Sequence, residues 1–260
     1  MLLTPQGASR SLAAVFTPIR SRGLVDEVCG RIEQAVETGL LTSGQRLPNE
    51  TELAAALGVS AVTAREALSQ LRTSGIIRTV RGRSGGSFIA DGVLPSRERA
   101  LDQLGELTRL QIRDLGLHYQ AIAAACAGVA ARRSDATDVA TLRSFIPSAE
   151  EDPLHWRLAL SEFLLEVAAI ARSARLAREL IRLQADLGTL TLLPCADSGY
   201  RTRTAGLLED VAAAVAARQP AAAEASVKAL VAATTDWLLN EQSRRSLPPA
   251  PSSRGSGPDA

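Results

Sequence analysis

Five arginines, Arg65, Arg72, Arg78, Arg81 and Arg83, fall within the stretch 65–83, where the only acid is Glu66. A local excess of one sign is what phosphate binding requires, because each guanidinium presents a planar fork of donors to paired oxygens. A solvated helix face has the same composition, so charge alone leaves both readings open. Three glycines, Gly82, Gly85 and Gly86, interleave with Arg81 and Arg83. Glycine lets a backbone come close to a nucleic-acid strand while the neighbouring arginines enter a groove or grip phosphate. Just upstream, Ser60, Ala61, Thr63 and Arg65 stand where a helix would begin. Helix N-termini carry unpaired N–H groups, and recognition helices place their first turns in the major groove.

The elements that must position these groups follow from periodicity. Leu24, Val28, Ile32 and Val36 recur every four residues and predict one helix ending near Gly39. Leu41 to Pro48 reads as a turn. Glu50 to Leu57 reads as a short helix stopped by Gly58, and Ser60 is placed to cap a second helix reaching Ser74. Val62, Ala67, Leu68 and Leu71 are expected to face inward. Ile76–Val80 and Ser87–Ala90 are short β-like runs, and the glycine-rich segment between them predicts a hairpin. Two helices meeting at Gly58-Val59-Ser60, followed by a basic hairpin, make a winged helix-turn-helix.

The stretch from Leu24 to Ala90 resembles the winged helix-turn-helix of the GntR family. The matching features are the run from Gly39 through LP-N-E to Leu53-Ala54, LGVS at 57–60, R-E-A-L at 65–68, the Gly-Ile-Ile after the helix, and RGRSGGSFI at 81–89. The resemblance implies DNA contacts from Ser60, Thr63 and Arg65 at the start of the recognition helix, and from Arg81, Arg83 and Gly85 in the wing. Ala61 and Thr51 occupy further positions of that surface, where the family usually or often carries arginine. Their identity implies an altered operator preference and weaker phosphate contact, not an altered fold.

From Glu98 to Arg244 no strand is evident. Helices are expected near 98–107, 110–133, 135–146, 152–171, 174–192, 200–217 and 220–242, with Ser134 and Ser173 as caps. Aromatics are only 3% of the chain, so Ala, Leu and Val must fill the interior, which favours close-packed helices. The fold class is therefore mainly α: an N-terminal winged helix-turn-helix plus a C-terminal all-α antiparallel helical bundle. The organisation read from the sequence is a flexible N-terminus over 1–20, a DNA-binding domain over 21–90 and a linker over 91–97. A ligand-binding and dimerisation domain over 98–244 and a disordered Pro/Ser/Gly-rich tail over 245–260 complete it.

The helical half resembles the ligand domain of the FadR-type, FCD-like branch of the same family. The resemblance rests on Ile112-Arg113, AARRSDATDVATLRS, FLLEVAAIARSARL over 163–176 and the pattern from Leu208 to Pro220. Many members of that branch hold a divalent metal with His side chains. At the corresponding positions this chain has Leu164 and Leu208, which carry no lone pair, so neither a metal nor any other cofactor is expected. His118 and His155, the only histidines, read as surface residues. Arg113 matches a position that often points inward. It is the expected effector-binding residue, pairing with a carboxylate, although a surface ion pair would satisfy it equally.

No nucleophile elbow, phosphate-binding loop or HExxH motif is present, which argues against an enzyme. Cys29, Cys126 and Cys195 have no CxxC spacing and suggest buried thiols in a reducing compartment. The longest stretch free of Asp, Glu, Lys and Arg, Leu115–Ala131, contains His118 and Gln120 and makes a poor membrane span. The expectation is a cytoplasmic homodimeric regulator, more readily a repressor, of double-stranded operator DNA, with no membrane partner. Its effector would be a small organic acid or a hydrophobic molecule. The alternative is a helical interaction protein whose winged domain has lost sequence-specific DNA binding.

Overall fold

The computed structural model describes residues 23–37, 40–82, 85–91, 97–148 and 150–246. The N-terminal segment 1–20, most of the linker and the tail beyond 246 lie outside the described residues. The first helix, α1 (Leu24–Glu37), buries Val28, Ile32 and Val36, with Cys29 and Ala35 beside them. It packs on α3 (Ala61–Thr73) on one side and on a helix of the C-terminal bundle on the other.

α2 (Glu50–Leu57) starts with a reciprocal cap. The Asn49 side chain accepts from the Thr51 and Glu52 N–H groups, and the Glu52 carboxylate accepts from the Asn49 N–H at 2.9 Å. It ends at Gly58, whose φ of +67° lies in the left-handed region that a side chain would resist. α3 buries Ala64, Ala67, Leu68 and Leu71, one stripe at helical spacing. Val62 does not face inward, as periodicity suggested, but is 68% exposed. Counted from Ala64 at about 100° per residue, it lies far outside the buried stripe.

β1 (Ile77–Val80) and β2 (Gly86–Ile89) pair antiparallel, Ile77 opposite Ile89 and Val80 opposite Gly86. The expected turn over 41–48 does more than reverse the chain. Arg46 bridges Phe88, the Leu47 N–H donates to the Ser87 carbonyl and the Ile89 N–H donates to the Gln45 carbonyl. The segment thus lies along the free edge of β2, which short hairpins otherwise leave open.

The remainder is helical, as its alanine- and leucine-rich composition requires: α4 (Arg97–Glu106), α5 (Arg109–Arg133), α6 (Ala136–Ser144), α7 (Pro153–Ile170), α8 (Ala174–Leu187), α9 (Leu192–Cys195), α10 (Ser198–Ala216) and α11 (Pro220–Ser246). α5 and α11, 25 and 27 residues long, form the central pair. Ala123, Ala127 and Ala130 on α5 and Ala223 and Ala233 on α11 are buried, and such small side chains let two long helices approach closely. α7, α8 and α10 complete the antiparallel bundle around them.

Capping differs from expectation at one junction. α6 is capped by Asp135, which accepts from the Asp138 N–H at 2.8 Å, while Ser134 donates to the Val215 carbonyl. The single helix expected over 174–192 breaks at Gly188 into a 3-10 turn (Gly188–Thr191) before α9, consistent with the low helix propensity of glycine. Among the described residues no helix is long and apolar enough to cross a membrane.

Candidate nucleic-acid interface and interior cavity

The first turn of α3 points away from the core. Ser60 caps the helix, accepting from the Thr63 N–H at 3.0 Å, and its hydroxyl pairs with that of Thr63 at 2.8 Å. Ser60, Ala61 and Arg65 are exposed and Thr63 is half-buried. The Arg65 guanidinium is held by Glu50, Nε to Oε2 at 2.9 Å, with the arginine side chain 69% exposed. That pairing joins the two helices of the helix-turn-helix and leaves the Nη edge of the fork facing outward. Thr51 is exposed on α2, next to Glu50. Ala61 and Val62 together give the leading turn an apolar surface, of the kind that meets a thymine methyl group. Val62 was missed as a candidate because valine at helical spacing reads as core.

The wing is tied to the recognition helix, since Arg72 donates from Nε to the Thr79 hydroxyl at 2.8 Å. Arg81 is exposed at the start of the connecting loop, and Arg83 lies outside the described residues. Gly85 has a structural assignment. Its N–H donates to the Gly82 carbonyl, and a Cβ there would meet the Val80 carbonyl at 2.5 Å. It closes the turn by close approach, and its N–H is spent inside the loop. Arg46 donates to the Gly85 carbonyl at 2.8 Å, and Arg78 lies over the Phe88 ring at 5.6 Å. Both are exposed cations on the wing. Arg78 belonged to the visible arginine cluster, whereas Arg46 comes from the segment read as a turn.

A second candidate lies inside the bundle, in a cavity of about 30 Å³ lined by the polar residues Tyr119, Arg157, Ser161, Gln184 and Thr234 and the apolar residues Leu160, Leu164, Leu230 and Val231. Ser161 donates to Gln184 Oε1 at 2.8 Å, and Gln184 donates back to the Ser161 carbonyl. Arg157 is 2% exposed, and burial lowers its pKa to about 10, so it keeps its charge at neutral pH. Its Nη2 donates to the backbone carbonyl of Glu37, the last residue of α1. Arg113 is not in this cavity. It is exposed and lines an open surface groove with Arg109, Arg203 and Trp237. The inward cation comes from α7 instead of α5, and no sequence motif distinguished Arg157 from the other arginines.

The donor set does not fit the metal that the FadR-type resemblance carries. Leu164 lines the cavity and Leu208 is fully buried, both without a ligating atom. His118 is exposed 3.5 Å from Glu179, and His155 is exposed against Asp152, whose carboxylate raises the imidazole pKa. Among the described residues no three His, Cys, Asp or Glu side chains converge. All three thiols are buried, and burial pushes Cys29 up to about 11 and Cys126 and Cys195 up to about 12.

Residues 24–87 match the family model described as bacterial regulatory proteins, gntR family. A putative HTH-type transcriptional regulator, RmpR, of Mycobacterium gastri is 39% identical over 161 residues, 61% of this chain and 59% of that protein. A putative L-lactate dehydrogenase operon regulatory protein of Escherichia coli is 43% identical over 68 residues, 26% of each chain. The chain thus spans about three-fifths of the first relative's length and about a quarter of the second's. Among solved structures, E. coli McbR/YncC aligns over 85% of this chain and 99% of its own, at 16% identity and a TM-score of 0.47.

Proposed function

We propose that the chain is a DNA-binding transcription regulator of the GntR family, whose model its N-terminal unit matches. It works as a homodimer, as a repressor, in the cytoplasm, and its FadR-type helical half takes a small-molecule effector without a metal. The observation that carries the reading is the outward-facing first turn of α3, joined through Arg72 and Thr79 to an arginine-bearing hairpin. A two-fold dimer would set two copies of α3 into successive major grooves, about 34–36 Å apart or a multiple of that. In this arrangement Arg65, Thr63 and Val62 face base edges. Arg46, Arg78, Arg81 and Arg83 supply phosphate contacts, and Thr51, Ser60 and Ala61 border the same groove. Gly85 shapes the wing.

Selection of duplexes from a random pool, followed by anisotropy titration of the winners at two salt concentrations, tests this. Sequence-selective binding whose affinity falls steeply with salt is the expected result. Binding that never rises above the level for random duplex would overturn it and favour the helical interaction protein, a reading supported by the exposed Ala61 where the family usually has arginine.

A further inference from the structure

The interior cavity and the helix-turn-helix share one side chain, Arg157. It lines the cavity and at the same time donates from its guanidinium to the carbonyl that ends α1. Carbonyls in a helix's last turn have no intrahelical partner and carry the negative end of the helix dipole, so Arg157 is a C-terminal cap supplied to α1 by the bundle. α1 in turn packs against α3, where the Cys29 thiol lies 3.5 Å from the Ala67 carbonyl and 3.4 Å from Gln70. A continuous path therefore runs from the cavity through Arg157, Glu37 and α1 to the recognition helix.

The volume of the cavity makes that path consequential. A space of about 30 Å³ holds one or two waters. An organic ligand enters only if something lining it moves. The lining residues carry one full positive charge, on Arg157, and hydroxyl and amide groups from Ser161, Gln184 and Thr234; the others are largely aliphatic. This suits a small monocarboxylate with a short apolar body. A carboxylate offers the guanidinium two charged acceptors, a stronger partner for a planar fork than the neutral Glu37 carbonyl.

We propose that Arg157 is the effector switch: a short-chain monocarboxylate entering this cavity takes the guanidinium from the Glu37 carbonyl, uncaps α1 and loosens the helix-turn-helix from the bundle. The inference rests on the regulator reading above. With the tether made, the recognition helix has a preset pose. With it broken, DNA binding must order the two units again, so affinity falls. The ligand shifts the equilibrium only because it binds Arg157 in the released state and not in the tethered one.

The test uses the full chain with acetate, butyrate and hexanoate, each beside its neutral amide. The carboxylates should raise the melting temperature and lower affinity for the selected duplex about tenfold, and the amides should do neither. In Arg157→Met the carboxylate response should vanish and DNA affinity should be low with or without ligand. Amide exchange over the last turn of α1 should quicken about tenfold while the bundle stays protected. If circular dichroism shows the Met variant unfolded, Arg157→Lys replaces it; that variant keeps the charge without the fork and should weaken the DNA response about fivefold. Carboxylates and amides acting alike would overturn the proposal, as would no shift with any carboxylate, or wild-type exchange and DNA affinity in the variant. Each of those outcomes leaves the regulator reading standing. Failure to select any duplex removes that reading instead, while the melting and exchange measurements still decide whether Arg157 holds a carboxylate and caps α1.

Discussion

The N-terminal winged unit and the C-terminal bundle use the same few residue types in opposite ways. In the winged unit Arg46, Arg65, Arg78 and Arg81 stand outside, and the fully buried residues from Val28 to Ile89 are apolar. In the bundle the informative arginine is inside, at Arg157, among buried Ser161 and Gln184. Exposed valine tells the same story: Val62 is surface on α3, while Val211 and Val215 on α10 are wholly buried. A surface keeps its polar groups solvated at little cost. An interior that buries polar groups must supply partners for them.

Experiments at five positions bear on this contrast, in descending order of expected effect save for Val62→Ala, which is paired with the first as its control. Phe163 is fully buried in α7, and Phe163→Ala should lower unfolding stability by about 3–5 kcal/mol in denaturant titration. Val62→Ala should leave stability within about 0.5 kcal/mol and act on DNA affinity alone. A destabilised Val62→Ala protein would erase the distinction between the two regions.

Arg65→Ala should weaken binding to the selected duplex by about 1–3 kcal/mol in anisotropy titration. Its exposed pair with Glu50 should cost about 0–1 kcal/mol of stability. Unchanged affinity would show that the outward Nη edge is not engaged.

Ser60→Ala should cost about 0.5–2 kcal/mol of stability through the lost cap on α3, and Ser60→Gly only a few tenths. Equal losses in the two variants would mean that the hydroxyl is not acting as the cap.

The smallest effect concerns pH. Asp197 caps α10 and accepts from Trp237 Nε1 at 2.9 Å, and that bond, followed by the backbone bonds at the cap, lowers its pKa. A group whose pKa is depressed on folding adds stability above its unfolded value, near 3.9, and loses it as pH falls through the folded value. Melting temperature should therefore drop more steeply below about pH 4 in the wild type than in Asp197→Asn. Parallel curves would remove Asp197 as the cause.

Much of the winged unit was readable before any coordinates. The Gly58 and Ser60 signals act within a few residues, so the end of α2, the cap of α3 and the corner between them followed from local chemistry. The arginine cluster lay in one contiguous stretch for the same reason. What escaped were long-range facts. The 41–48 segment reads as a turn until β2 is placed beside it, and Arg46 gains its position only there. Val62 was assigned inward because the apolar pattern does not state which neighbouring stripe meets the core. In the bundle, helix positions followed from periodicity and caps, but the orientation of polar side chains did not. For Arg113 the resemblance left an inward and a surface position equally open, and it stands on the surface; Arg157 carried no local mark.

By itself the sequence determined that this chain is helical, where most of its helices start and stop, and that a basic hairpin follows a helix-turn-helix. These depend on capping, backbone freedom and periodicity, which operate over one or two turns. Only the tertiary structure decided which arginine is buried, how little room surrounds it, and that it reaches the end of α1. Those properties arise where α1, α5, α7, α8 and α11 converge, and no segment of the chain contains the distances between them.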